Sequence, residues 1–185
     1  MPWPTVPLRI VWNLILQVVL NARSLIAYKE IFVKVLVKNA RNVQVEITTG
    51  RHTLLADEPL GVGDDAGPDP YALLLSALGA CKVMTTMMYA RRKGWPLERV
   101  EVGLETHKIH AKDCEDCESD PDAKVDVIEV ELNFEGVLTP EQVHRLEEIS
   151  ERCPVHRTLI GEIKIRTTVG QIALATSKSH IEQFK

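Results

Sequence analysis

Four cysteines carry the most evident chemistry in this sequence, and their spacing divides them. Cys81 and Cys153 stand far apart, each in a helix-forming stretch, while Cys114 and Cys117 make a Cys-x2-Cys pair preceded by His107 and His110. A thiol reacts as the thiolate, so a group with a reference pKa of about 8.5 needs a nearby cation or hydrogen-bond donor. Arg51, Arg92, His156 and Arg157 are the candidates, and spacing does not choose among them. The plainer reading of Cys81 is a packing residue, because free cysteine is among the most buried residue types.

The elements around the two single cysteines are legible. Asp69-Pro70 is a strong helix start, with Asp as N-cap and Pro at the first helical position. That helix is expected to run to Lys93 and stop at Gly94-Trp95-Pro96, and residues 71–90 are apolar nearly all round, which predicts a central, buried helix. Cys81 lies about three turns in, too far from the N-terminus for the helix dipole to act on it. Helical spacing puts Ala77, Leu78, Met84, Thr85 and Met88 on its face, a flexible and polarizable wall suited to a hydrophobic substrate. A second capped start, Thr139-Pro140-Glu141-Gln142, opens a helix expected to end at Cys153, where Pro154 forces a corner. The two cysteines are 72 positions apart, and spacing alone does not pair them. His156 either satisfies a helix end or core carbonyl, or stands near the thiols as a donor.

The remaining cysteines read as His-x2-His-x3-Cys-x2-Cys, whose ligand types would suit tetrahedral zinc. Against that, His107 and His110 would point to opposite sides of a strand, and the acidic run 113–122 has the character of a solvated loop. The competing readings are a surface loop with free or reversibly paired thiols, bound metal on His107, His110, Cys114 and Cys117, and a relay to the other thiols. The acidic flanks should raise the pKa of Cys114 and Cys117.

The chain of 185 residues has room for one well-buried domain. A net charge of −4 with no basic stripe gives no support to nucleic-acid binding. Few cysteines in a chain of this size argue against a disulfide-stapled secreted scaffold and for the cytoplasm. The uncharged stretch 10–22 is too short to span a bilayer and reads as a helix or a leader. Apolar–polar alternation predicts strands over 32–38 and 43–49 joined by a turn at 38–42, then 52–56, 100–109, 125–134 and a closing strand over 163–169. The order implies an α+β fold with mainly antiparallel pairing. The expected division is an N-terminal extension (1–30), one domain (31–169) and a tail (170–185).

The stretch Gly-Pro-Asp-Pro-Tyr-Ala-Leu-Leu-Leu-Ser-Ala-Leu-Gly-Ala-Cys at 67–81 resembles the first cysteine motif of the OsmC/Ohr family (osmotically inducible protein C and organic hydroperoxide resistance proteins). Arg-Cys-Pro-Val-His at 152–156 resembles the second. Tyr-Ala-Arg-Arg-Lys-Gly-Trp at 89–95 and Ala-Asp-Glu-Pro at 56–59 are similar to an OsmC-like branch, and the likeness spans 32–169. The resemblance implies an intertwined homodimer, with sheets wrapped around long central helices and active sites at the subunit interface. It implies an enzyme without a cofactor, in which Cys81 is oxidised by an organic hydroperoxide to a sulfenic acid and Cys153 resolves it as a disulfide. An external dithiol or lipoyl-type reductant would restore both. Leu78, Met84, Thr85 and Met88 would line the substrate pocket, and Arg51 is the best match to the activating arginine. One departure stands out: the family's peroxidases carry a Glu about ten residues before the first cysteine, where this chain has Tyr71 and Ala72. Glu58 and Asp69 are the nearby carboxylates. That departure gives weight to a second class, a non-catalytic OsmC-like protein binding a small apolar ligand at the dimer cleft.

Overall fold

Alternating side chains build the first sheet. In the computed structural model, which describes residues 33–170, β1 (Leu36–Arg41), β2 (Gln44–Thr49) and β3 (His52–Ala56) pair antiparallel in that order. Strand β1 runs further than the expected turn at 38–42 allowed. The turn is only Asn42-Val43, because Asn42 takes a left-handed φ of 51°, which asparagine tolerates and a tight hairpin requires. The N-terminal stretch and residues 171–185 lie outside the described residues.

The loop after β3 is organised by Asp57, which is 3% exposed. Its carboxylate accepts the backbone N–H groups of Glu58 (2.9 Å), Asp64 (3.2 Å) and Ala66 (3.2 Å). Burial pushes this carboxyl up, but the three amides and the Gln44 side chain outweigh it and hold it below its ordinary value of 3.8. The loop delivers the chain to α1 (Pro70–Lys93), capped as expected by the Asp69 side chain, which accepts from the amides of Tyr71 (2.8 Å) and Ala72 (2.9 Å). Gly94, at a left-handed φ of 66°, ends the helix.

Two long strands follow, β4 (Leu97–His110) and β5 (Lys124–Gly136), paired antiparallel along nearly their whole length and longer than their apolar cores implied. Val100, Val102 and Leu104 lie on the face toward α1, while Glu101, Glu105, Glu129 and Glu131 are exposed on the other, with Glu105 directly opposite Glu129. Then α2 (Pro140–Glu151) opens on the expected capping box of Thr139 and Gln142. A short helix, α3 (Pro154–Leu159), follows at once. The branch motif at 89–95 ties these parts together. The Tyr89 hydroxyl accepts from Arg145 Nε of α2 at 3.3 Å, and its ring meets the Trp95 edge at 5.6 Å.

Helix α1 packs against β4, α2 and α3. The expectation that it is buried all round is corrected: only Leu78, Gly79, Lys82, Thr86 and Ala90 are buried, and Tyr71, Leu74, Met84 and Met88 are exposed. The described elements of one chain cover just one side of this helix, which is about 36 Å long. The expected closing strand over 163–169 is also corrected. Those residues form no strand, because no described strand lies alongside to take up their backbone groups, and Ile163, Ile165 and Val169 are exposed.

The Asp57 cradle makes a pH-dependent prediction. A carboxyl held low in the fold adds stability above its ordinary value, and that contribution is lost as pH falls through the lower folded value. Asp57→Asn turns an amide NH2 toward backbone donors, so it should lower the melting temperature at pH 7, and the gap to the parent should narrow below about pH 4. Melting curves across that range check it, and a gap that stays constant down to pH 3 would refute the cradle's role.

Candidate active site

The thiols that spacing left unpaired meet in the fold. Cys81 is half-buried on α1, and Cys153 is fully buried at the start of α3, which packs against α1. Cys153 does not close α2 as the sequence suggested. Arg152 caps that helix, and Cys153 is the N-cap of α3, its sulfur accepting the backbone N–H of His156 at 3.3 Å. Proline at 154 explains both facts, since it stops one helix and favours the first position of the next.

The two thiols are close enough to act on each other electrostatically. Burial pushes the Cys153 thiol above its ordinary value, and the neighbouring Cys81 adds to the rise. The His156 amide and the charge of Lys82 oppose it without reversing it. Such a pair can join as a disulfide, with Cys81 the more exposed partner.

Of the other sequence candidates, His156 does reach the thiol, through its backbone amide. Arg51 is exposed in the turn between β2 and β3 and is not among the groups acting on Cys153. Arg92 lies over the Tyr89 ring at 5.4 Å, and Arg157 is exposed on α3. The expected pocket wall divides: Leu78 is buried in the core, Thr85 is half-buried, and Met84 and Met88 are each 62% exposed. Asp69 is engaged as the helix cap, Glu58 is half-buried in the Asp57 loop, and Tyr71 is exposed. An open groove of about 550 Å³ runs between α1, from Ala72 to Val83, and Val102 and Leu104 of β4.

Two residues escaped the sequence reading. Lys82 is 3% exposed, and Thr86 is fully buried with a hydroxyl that has no hydrogen-bond partner among the described residues. The signal for Lys82 was present, since it is the one charged residue between Tyr71 and Ala90.

The second cysteine pair is separate. Cys114 and Cys117 form a disulfide at the tip of the β4–β5 hairpin, so the two thiols are paired with each other. Asp116 is beside them, but neither His107 nor His110 joins the cluster, so the four-ligand set is not assembled. Neither sulfur acts on Cys153.

Comparison with known proteins places this arrangement. The family model described as OsmC-like protein matches residues 63–168. No curated protein matches the chain. Among solved structures, an OsmC-like protein from Mycoplasma pneumoniae is 18% identical with a TM-score of 0.53, over 71% of this chain and 89% of that one. An organic hydroperoxide resistance protein from Elizabethkingia anophelis is 18% identical with a TM-score of 0.53, over 74% and 94%. A structure from Legionella pneumophila described as an organic hydroperoxide resistance protein OsmC is 20% identical with a TM-score of 0.52, over 71% and 91%. These likenesses establish the same fold.

Burial separates the two thiols in a way that alkylation can read. In the folded, reduced protein, iodoacetamide should label Cys81 about tenfold faster than Cys153, and the difference should vanish in denaturant. Peptide mass mapping over time measures this. Equal rates in the folded protein would contradict the buried, raised Cys153 thiol.

Proposed function

The chain belongs to the OsmC-like protein family, and on that premise we propose that it is a cysteine-based peroxidase that reduces organic hydroperoxides in oxidative-stress defence. The observation that carries this reading is the meeting of Cys81 and Cys153 across α1 and α3. The Cys81 thiolate attacks the distal oxygen of the hydroperoxide, the O–O bond breaks, and the alkoxide leaves as the alcohol. Cys81 is then a sulfenic acid. Attack by Cys153 forms the disulfide and releases water, and an external dithiol or lipoyl-type reductant returns both thiols by exchange.

The substrate class follows from the surroundings. Leu74, Ala77, Met84 and Met88 make an apolar stripe beside Cys81, which suits an organic rather than an aqueous peroxide. In the working protein this stripe is covered by a second copy of the chain, in an intertwined homodimer that encloses the site. Exposed Val33, Val35, Val37, Leu54, Ile163 and Ile165 supply further apolar surface for the same interface. The protein acts in the cytoplasm, with residues 31–169 as its domain. The names of the Elizabethkingia and Legionella structures, which refer to hydroperoxide resistance, accord with this reading.

A second reading has its own observation. Tyr71 and Ala72 stand where a carboxylate is expected, Arg51 is exposed, and the groove along α1 is apolar. A non-catalytic member binding a small apolar ligand at the dimer cleft would have these properties, though it leaves two adjoining thiols unexplained.

One equivalent of cumene hydroperoxide added to the reduced protein should give a rapid Cys81–Cys153 disulfide, mapped by mass spectrometry. Cys81→Ser should abolish turnover, and Cys153→Ser should allow one oxidation and then stall or over-oxidise. Thiol loss no faster than in an unfolded control would hand the fold to the ligand-binding reading.

A further inference from the structure

An apolar helix turns one charged side chain inward. Lys82 is the sole Asp, Glu, Lys or Arg in residues 71–90, yet it is 3% exposed, on the stripe of Leu78, Thr86 and Ala90 that is buried in the fold. Burying an ammonium group is costly unless an anion or strong acceptor answers it. Among the described residues, no carboxylate forms an ion pair with Lys82. One turn along, the Thr86 hydroxyl is likewise buried without a partner. Two polar groups are thus held in an interior that apolar residues would fill more stably.

The groups facing the Cys153 sulfur are few. Helix α1 brings Cys81 and Lys82, and α3 brings the His156 amide. Helix α2 buries only the uncharged Leu146, Ile149 and Ser150, and Arg152 and Arg157 are exposed. Of these groups, the Cys153 sulfur is the one on which the Lys82 charge acts.

We infer that Lys82 is the cation that supports the Cys153 thiolate during disulfide formation. The inference rests on the peroxidase reading and deepens it by naming the charge that drives the resolving step. In that step the Cys153 thiolate attacks Sγ of the Cys81 sulfenic acid, the S–S bond forms and the S–O bond breaks. The departing hydroxide takes up the proton that Cys153 released and leaves as water. The oxidising equivalents have already come from the hydroperoxide. Lys82 transfers nothing; its charge offsets part of the rise that burial imposes on the Cys153 thiol, and so raises the share of reactive thiolate.

The test does not require turnover. In a Cys81→Ser background Cys153 is the one free thiol, because Cys114 and Cys117 are joined. Its titration can be followed by ultraviolet thiolate absorbance. Lys82→Met, which nearly keeps the volume, should move the midpoint up by about one pH unit, a tenfold loss of thiolate at neutral pH. Lys82→Arg should stay close to the parent. With Cys81 intact, Lys82→Met should slow disulfide formation after hydroperoxide about tenfold at neutral pH, with the deficit closing at alkaline pH. An unmoved midpoint in Lys82→Met, or an equal rise in Lys82→Arg, would overturn the inference, provided thermal melting shows both variants folded. A parent protein that never forms the Cys81–Cys153 disulfide would be a failure of the peroxidase reading, which the titration does not depend on.

Discussion

The packing of one stripe of α1 against α2 and α3 is the constraint on which the site depends. It is the contact that brings a residue three turns into a helix beside a residue at a proline corner 72 positions later. Leu146, fully buried on α2, anchors it, and a buried leucine is worth roughly 1.5–3 kcal/mol in transfer terms. The same stripe carries Lys82 and the unpartnered Thr86 hydroxyl, which work against stability. Where a sequence breaks the rule for core composition next to two thiols, the break is expected to mark function.

Local chemistry was legible in advance. The start of α1 at Asp69-Pro70, its end at Gly94 and the capping box at Thr139 are each decided within a few residues, so the sequence pattern predicts them. The hairpin strands followed from alternation, but their ends shifted: β1 begins at Leu36 rather than 32 and runs on to Arg41, where Asn42 adopts a left-handed conformation, and β4 and β5 extend past their apolar cores. The Cys-Pro corner was visible, but its sense was not: whether a cysteine ends one helix or caps the next depends on which backbone amide reaches its sulfur.

What stayed hidden was non-local. No spacing rule joins Cys81 to Cys153, which the family resemblance alone paired, and none shows Asp57 gathering three amides from its loop. The apolar pattern of α1 was read as complete burial, yet a pattern does not say which chain does the covering, and one described chain covers a single stripe. The alternation over 163–169 misled for the same reason, because a strand exists only beside another. The zinc-like spacing failed because ligand types in sequence do not converge unless the backbone turns them together, and here the hairpin tip closes on its own disulfide.

The glutamate face of β4 and β5 sets how the protein responds to its ionic surroundings. Glu105 directly opposite Glu129, with Glu101 and Glu131 nearby, places like charges across a ladder where they repel. At physiological salt the screening length is about 8 Å, longer than the separation of such pairs, so the repulsion is damped without being removed. Salt therefore weakens this repulsion, and it equally weakens the ion pairs Arg99–Glu135 and Lys108–Asp126 that join the same two strands. The same field opposes the approach of any other acidic surface to this side of the hairpin.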